Sequence, residues 1–209
     1  MVTKRDATEP QLYNHYAFEQ SKLLKMFKKS PVDQCITIRK NRKTLGGLDV
    51  FNRIGQDSKN GEVLKSCISK NKKCYAFLAI KKTPITKKDE KYIGHINDKT
   101  TLNNSLVFSE LYILKKLKLL INNKICINVP FIYKYFICND CQYENPLVQK
   151  YFPDSTKCLM MVFDQADTTI SEFLLKKNLD LNHMVSAYLQ VYVGIYCIKK
   201  FLGISHHDL

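Results

Sequence analysis

The sequence predicts an α+β domain, and three observations carry that expectation. Strand-like segments cluster near residues 49–81 and 131–163, with an amphipathic helix between them and two helices after them. The resulting order, β-β-β-α-β-β-α-α, is not that of alternating βαβ units. The first three strand segments are separated by only a few polar residues, and connections that short suit an antiparallel meander rather than parallel crossovers. The chain has 209 residues, 45% hydrophobic and 11% aromatic, enough to build one ordinary core or a small lobe with part of another.

Taken in order, residues 11–29 read as a helix with Leu12, Tyr16, Leu23, Leu24 and Phe27 toward one side, ended by Ser30-Pro31. A basic amphipathic helix of this kind fits a membrane surface or a partner, but ordinarily covers its own domain. Cys35-Ile36-Thr37-Ile38 is a short strand, and Gly46-Gly47 breaks the pattern after it. Residues 49–54 and 61–68 read as two strands around a polar, Gly-containing turn, and Tyr75 to Lys81 as a third. Residues 83–100 have the composition of a solvated loop. From Ser105 to Leu120, a helical stripe of Leu106, Ser109, Leu111, Ile113, Leu114, Leu117 and Leu120 leaves Lys115, Lys116 and Lys118 toward water. Phe131 to Cys138 is a strand, Asp140 to Asp154 a polar loop, and Cys158 to Phe163 a strand running into Asp164-Gln165-Ala166-Asp167. A short helix over 169–177, a connection over 178–182 and a long helix from His183 to Leu202 complete the chain.

The formal net charge is +14, carried almost entirely by lysine, since arginine occurs only at Arg5, Arg39, Arg42 and Arg53. Lysine is a mobile point charge without the bidentate fork that reads base edges, which argues against sequence-specific nucleic-acid recognition and leaves a general attraction to acidic partners. The eight cysteines mostly lie beside apolar residues, as reduced, partly buried thiols of an intracellular protein do. Cys138-Asn139-Asp140-Cys141 has metal-knuckle spacing. A zinc site needs a second pair, and Cys126 and Cys158 lack that spacing, so no metal site is expected. No secretory signal or membrane-length apolar run is visible, and the expected location is the cytoplasm.

Two segments carry chemistry. Ile54-Gly55-Gln56-Asp57-Ser58-Lys59-Asn60-Gly61-Glu62-Val63 lies at the turn between two strands, where glycine lets backbone N–H groups approach a phosphate; an ordinary hairpin turn would look the same. Leu78-Ala79-Ile80-Lys81 ends an apolar strand in a lysine, which either reaches water or holds an anion. Glu110, flanked by Phe108 and Leu111 on the next helix, needs a partner, and Lys81 is the natural one.

In this order the segments resemble the N-terminal part of the serine/threonine protein kinases, in particular divergent viral ones. Gly55 to Val63 looks like the glycine-rich loop, without its middle glycine and one residue longer; Leu78 to Lys81 looks like the Val-Ala-Ile-Lys strand. Leu159 to Phe163 is similar to the strand entering the hinge, and Gly203-Ile204-Ser205-His206-His207-Asp208-Leu209 to the start of the catalytic loop, with His207 at the usual arginine. The resemblance implies a kinase-like small lobe over residues 48–164 (antiparallel sheet plus C helix), a basic extension over 1–47, and the first helices of a large lobe over 165–209. ATP would lie against Ile54, Gly55, Gly61, Val63, Ala79 and Lys81, with Met161 or Val162 as gatekeeper. Glu110 would hold Lys81, and Asp208 would be the base that accepts the proton of a protein Ser or Thr hydroxyl.

The same resemblance implies Mg2+, but the family's metal ligands fall after the catalytic loop, past Leu209. The expectation is therefore a kinase if the chain continues, and otherwise an inactive kinase-derived piece that acts as a lysine-rich binding module for acidic partners or nucleic acid. The apolar face of the long helix, which a large lobe would cover, is expected to stand partly exposed.

Overall fold

The computed structural model describes residues 20–25, 27, 35–39, 42–70, 73–166, 172–173, 175 and 180–205. They form an α+β fold on one seven-stranded antiparallel sheet. We label helix α1 at 20–25, then β1 (Thr37–Arg39), β2 (Arg42–Leu45), β3 (Leu48–Ser58), β4 (Gly61–Lys70), β5 (Lys73–Ile85), α2 (Lys87–Glu90), α3 (Leu106–Asn122), β6 (Ile132–Cys138), α4 (Pro146–Tyr151), β7 (Lys157–Asp164) and α5 (Leu181–Cys197). The strand order is β1-β2-β3-β4-β5-β7-β6. Consecutive hairpins lay down the first five strands, α3 then crosses the sheet, and β7 returns between β5 and β6.

The short strands β1 and β2 pair with each other and β2 with β3, so residues 37–39 and 42–45, expected in a basic extension, belong to the same sheet. Leu23 of α1 is buried in the common core, with Leu24 and Phe27 packed against it. Phe27 stacks on Tyr133 at 5.9 Å between ring centroids. The part of the N-terminal helix that is described thus covers its own domain. The 169–177 helix lies mostly outside the described residues.

Residues 83–100 are more ordered than their polarity suggests. Strand β5 runs on to Ile85, beyond the last residue that β4 pairs, Lys82. Pro84 therefore sits where only β7 adjoins the strand, a place where a missing N–H is tolerated. Thr86 and Asp89 form a capping box that opens α2, and the Asp89 carboxylate also accepts from Ser105 Oγ at 2.6 Å. Ser105 in turn caps α3, accepting from the Phe108 amide. One buried carboxylate thus fixes the entry to both helices.

On α3 the buried stripe is Phe108, Leu111, Leu114, Leu117, Leu120 and Ile121, while Leu106 is almost fully exposed. Of the three lysines expected in water, Lys118 is half-buried and reaches the Tyr133 carbonyl, and desolvation pushes its pKa down. The expected loop over 140–154 contains α4, capped by Asn145 with Pro146 in the first turn.

Helix α5 docks through small and thiol side chains. A Cβ at Gly194 would meet the Asn128 carbonyl oxygen at 2.2 Å, so only glycine allows that approach. Cys197 is buried nearby; burial first, and then the hydrogen bond with Cys126, push its thiol up to about 12. Beyond this seam Val185, Tyr188, Leu189, Tyr192, Val193 and Tyr196 remain exposed, as expected of this face. No described helix is long and apolar enough to cross a membrane.

Candidate functional site

The sheet register decides which side chains meet. Directly opposed residues on neighbouring strands share a face, so Ile54, Val63, Lys81, Met161 and Tyr135 form one row across five strands. Ala79 and Phe163, opposite each other, lie on the same face one row along. Helix α3 crosses on this side, and the Lys81 Nζ to Glu110 Oε1 distance is 2.6 Å. Each side chain of that pair keeps about a third of its surface exposed, 34% for Lys81 and 35% for Glu110. The ammonium is held in place yet still reachable from solvent.

Of the two gatekeeper candidates, Met161 lies opposite Lys81 and shares its face, while Val162 lies opposite Ile80 on the other. Gly55 is in β3, at a register shift and with positive φ, and it has open space around it. Gly61 begins β4, where φ is +145° and a Cβ would strike the Lys82 carbonyl oxygen at 2.4 Å. Asp208, with His206 and His207, lies outside the described residues.

The opposite face of the sheet carries a second pair that the sequence reading missed. Lys82 donates to Glu62 Oε1 at 2.8 Å and to the Gln142 carbonyl, with its ammonium 4.5 Å from the Tyr143 ring centroid. The second oxygen of Glu62 accepts from the backbone N–H groups of Glu144 and Asn145 at 2.9 and 3.0 Å. Both side chains are almost wholly buried, at 5% exposure for Lys82 and 1% for Glu62. Asn145 is fully buried too, and its amide donates to the Ser58 and Gly61 carbonyls at 2.7 and 2.9 Å. The tip of the β3–β4 hairpin is therefore fastened to the β6–β7 connection on the side away from Lys81. Burial pushes the Tyr143 hydroxyl well above its ordinary pKa, with the Glu62 charge adding to the effect.

The sequence held a signal for this pair. Glu62, Leu64, Ser66 and Ile68 alternate onto one face of β4, and that face is the buried one. A cavity of about 310 Å³ opens on this side, lined by Ile36, Lys43, Leu64, Lys82, Cys138 and Tyr143 among others. It is separate from the Lys81 row.

The cysteines differ from the expectation of reduced, separate thiols. Cys35 is bonded to Cys138, Cys67 to Cys74, and Cys141 to Cys158; Cys126 and Cys197 are free and buried. Sheet register, not sequence spacing, makes Cys158 a partner of the Cys138–Cys141 knuckle, because Cys138 and Cys158 are opposed across β6 and β7. Among the described residues, Cys138, Cys141 and Cys158 form a group whose sulfurs all lie within 4.8 Å of one another.

No family model matches the chain, and no curated protein matches it.

Proposed function

We propose that the Lys81 face of the sheet binds ATP, and that the chain is the nucleotide-binding part of a serine/threonine protein kinase. The observation that carries this reading is the Lys81–Glu110 contact at 2.6 Å, between strand β5 and helix α3. A lysine fixed by a carboxylate and still one-third exposed is suited to hold α- and β-phosphate oxygens. Val63 and Ala79 share its face and, being part-exposed, offer an apolar surface for a purine, with Met161 fully buried beneath them. Strand order β3-β4-β5-β7-β6 with α3 inserted before β6 agrees with the small lobe that the motifs resemble.

When bound, ATP supplies the phosphoryl group. Lys81 binds and orients it, Glu110 keeps Lys81 from turning to solvent, and the β3–β4 hairpin covers it. Asp208 would take the hydroxyl proton of a protein Ser or Thr. The resemblance puts the residues that would hold Mg2+ after the catalytic loop, outside the described residues.

The test is nucleotide binding by calorimetry at two salt concentrations, with Lys81→Ala alongside. Binding that Lys81→Ala abolishes and moderate salt leaves in place supports the reading. Binding that survives Lys81→Ala and collapses with salt sinks it, and favours the polyanion-binding module that a net charge of +14 allows.

A further inference from the structure

We propose that Cys35, Cys138, Cys141 and Cys158 together form a zinc site, a tetrathiolate that closes the far end of the sheet. Three segments deliver these residues to one place. Cys35 lies two residues before the start of β1, Cys138 ends β6, Cys141 lies in the turn that follows, and Cys158 is the second residue of β7. Cys138 and Cys158 are opposed across an antiparallel pair, which brings their Cβ atoms to about 5 Å. The Cys141 amide donates to the Thr156 carbonyl at 2.6 Å, which draws the turn back toward the start of β7. Cys35 lies beside Cys138, with the Cα atoms 4.7 Å apart.

The grouping of the sulfurs is what separates this cluster from two unrelated crosslinks. Cys138 belongs to one disulfide, and Cys141 and Cys158 to the other, yet all three sulfurs lie within 4.8 Å of one another. Independent disulfides have no need to converge. A tetrahedral zinc with Zn–S bonds of about 2.3 Å requires its sulfurs about 3.8 Å apart; the Cys138, Cys141 and Cys158 sulfurs lie within 4.8 Å of one another, and Cys35, bonded to Cys138 but outside that group, must swing toward them once reduced. The Cys138–Cys141 spacing is that of a zinc knuckle, and Cys35 with Cys158 is the second pair that the sequence alone did not reveal. Cys67–Cys74 supplies a contrast within the same chain: it is a disulfide of β4 and β5 with no third cysteine grouped with it among the described residues.

The site would load in the reduced state. A thiol reductant gives two electrons and two protons to each of the two disulfides, yielding four thiols, and zinc binding then releases their four protons. The ion ties the chain before β1 to the β6–β7 connection. Residues 142–145, which follow the knuckle directly, hold Lys82, Glu62 and the tip of the β3–β4 hairpin. Metal therefore orders the segment that anchors the hairpin, whether or not the other face binds a nucleotide.

The experiment is metal analysis of the full 209-residue chain purified under thiol reductant, followed by replacement of zinc with cobalt. The expected result is a single zinc per chain and, for the cobalt form, intense thiolate-to-metal charge-transfer bands with tetrahedral d–d bands. Cys158→Ser and Cys141→Ser should lose the metal, and Cys67→Ser should keep it. Should the serine variants fail to fold, the unmodified protein still decides: chelation should lower Tm and added zinc restore it. Reduced protein without zinc or cobalt thiolate bands overturns the proposal. So does equal loss of metal in Cys67→Ser, or persistence of the 35–138 and 141–158 disulfides under reductant in place of a metal.

Discussion

Lys81 and Lys82 are neighbours on one strand and face opposite sides of the sheet, and the contrast between them separates a site from a fastening. Lys81 meets Glu110 through one contact, and both keep about a third of their surface in water. Lys82 meets Glu62 with almost no exposure, and both Glu62 oxygens accept hydrogen bonds. An exposed ion pair is worth roughly 0–1 kcal/mol and leaves its lysine available. A buried pair is held by its own desolvation: neither member is free to leave without stranding the other. The first arrangement suits a residue that must greet a ligand, the second a residue that must keep a hairpin in place.

Removing one member of the buried pair should have the largest effect. Lys82→Met leaves the Glu62 carboxylate buried without its cation, and it should lose about 3–5 kcal/mol in denaturant unfolding. Lys82→Met with Glu62→Gln should recover most of that loss, because the glutamine oxygen still accepts from the 144 and 145 amides. If the double variant is as unstable as the single, the pair is not what makes Lys82 necessary.

Asn145→Ala tests the fastening without touching a charge. It removes two hydrogen bonds to the hairpin and the cap of α4, at a cost of roughly 1–3 kcal/mol. Amide exchange should rise most at residues 58–61. Uniform acceleration across the sheet would mean that Asn145 supports the core rather than the hairpin tip.

Lys81→Ala should cost no more than about 1 kcal/mol of stability, since each member of its pair keeps about a third of its surface exposed, while removing nucleotide binding. A large loss of stability would place Lys81 with Lys82, as a structural residue.

The meander, α3 and β7 were legible because alternation and helical spacing there coincide with burial: Leu78 and Ile80 in β5 are fully buried, and so is Leu111 in α3. Lys81 with Glu110 was legible because an acid flanked by apolar residues on a helix asks for a cation. The alternation of β4 marked Glu62 as inward-facing, but its pairing with Lys82 was not legible, since the groups that surround the pair, Gln142 to Asn145, come from a segment whose polar composition reads as loop. The same holds for residues 83–100, where Asp89 is polar in sequence but serves as an internal cap. Cysteine pairing was illegible for a different reason. Cys158 meets Cys138 through strand register, and Cys35 reaches Cys138 from the segment before β1; spacing along the chain encodes neither. Leu106 shows the converse, an apolar residue at helical spacing that the helix leaves in solvent.

A third pair falls between the two lysines and gives the smallest effect. The Asp49 side chain is mostly buried, and it accepts from Arg42, whose guanidinium is exposed, and from Ser69. Arg42 holds the Asp49 carboxyl below its usual range, with Ser69 contributing in the same direction and desolvation opposing both. A folded-state pKa below the unfolded value means that Asp49 stabilises the protein above about pH 4, and that this share is lost as pH falls through the depressed value. Asp49→Asn should therefore be somewhat less stable than the parent at neutral pH, with the gap closing as pH drops from about 4 to 2. Urea midpoints across that range measure it. A gap that stays constant with pH would show that Asp49 acts through hydrogen-bond geometry alone, and that charge matters at this edge of the sheet only where it is fully buried, as at Glu62.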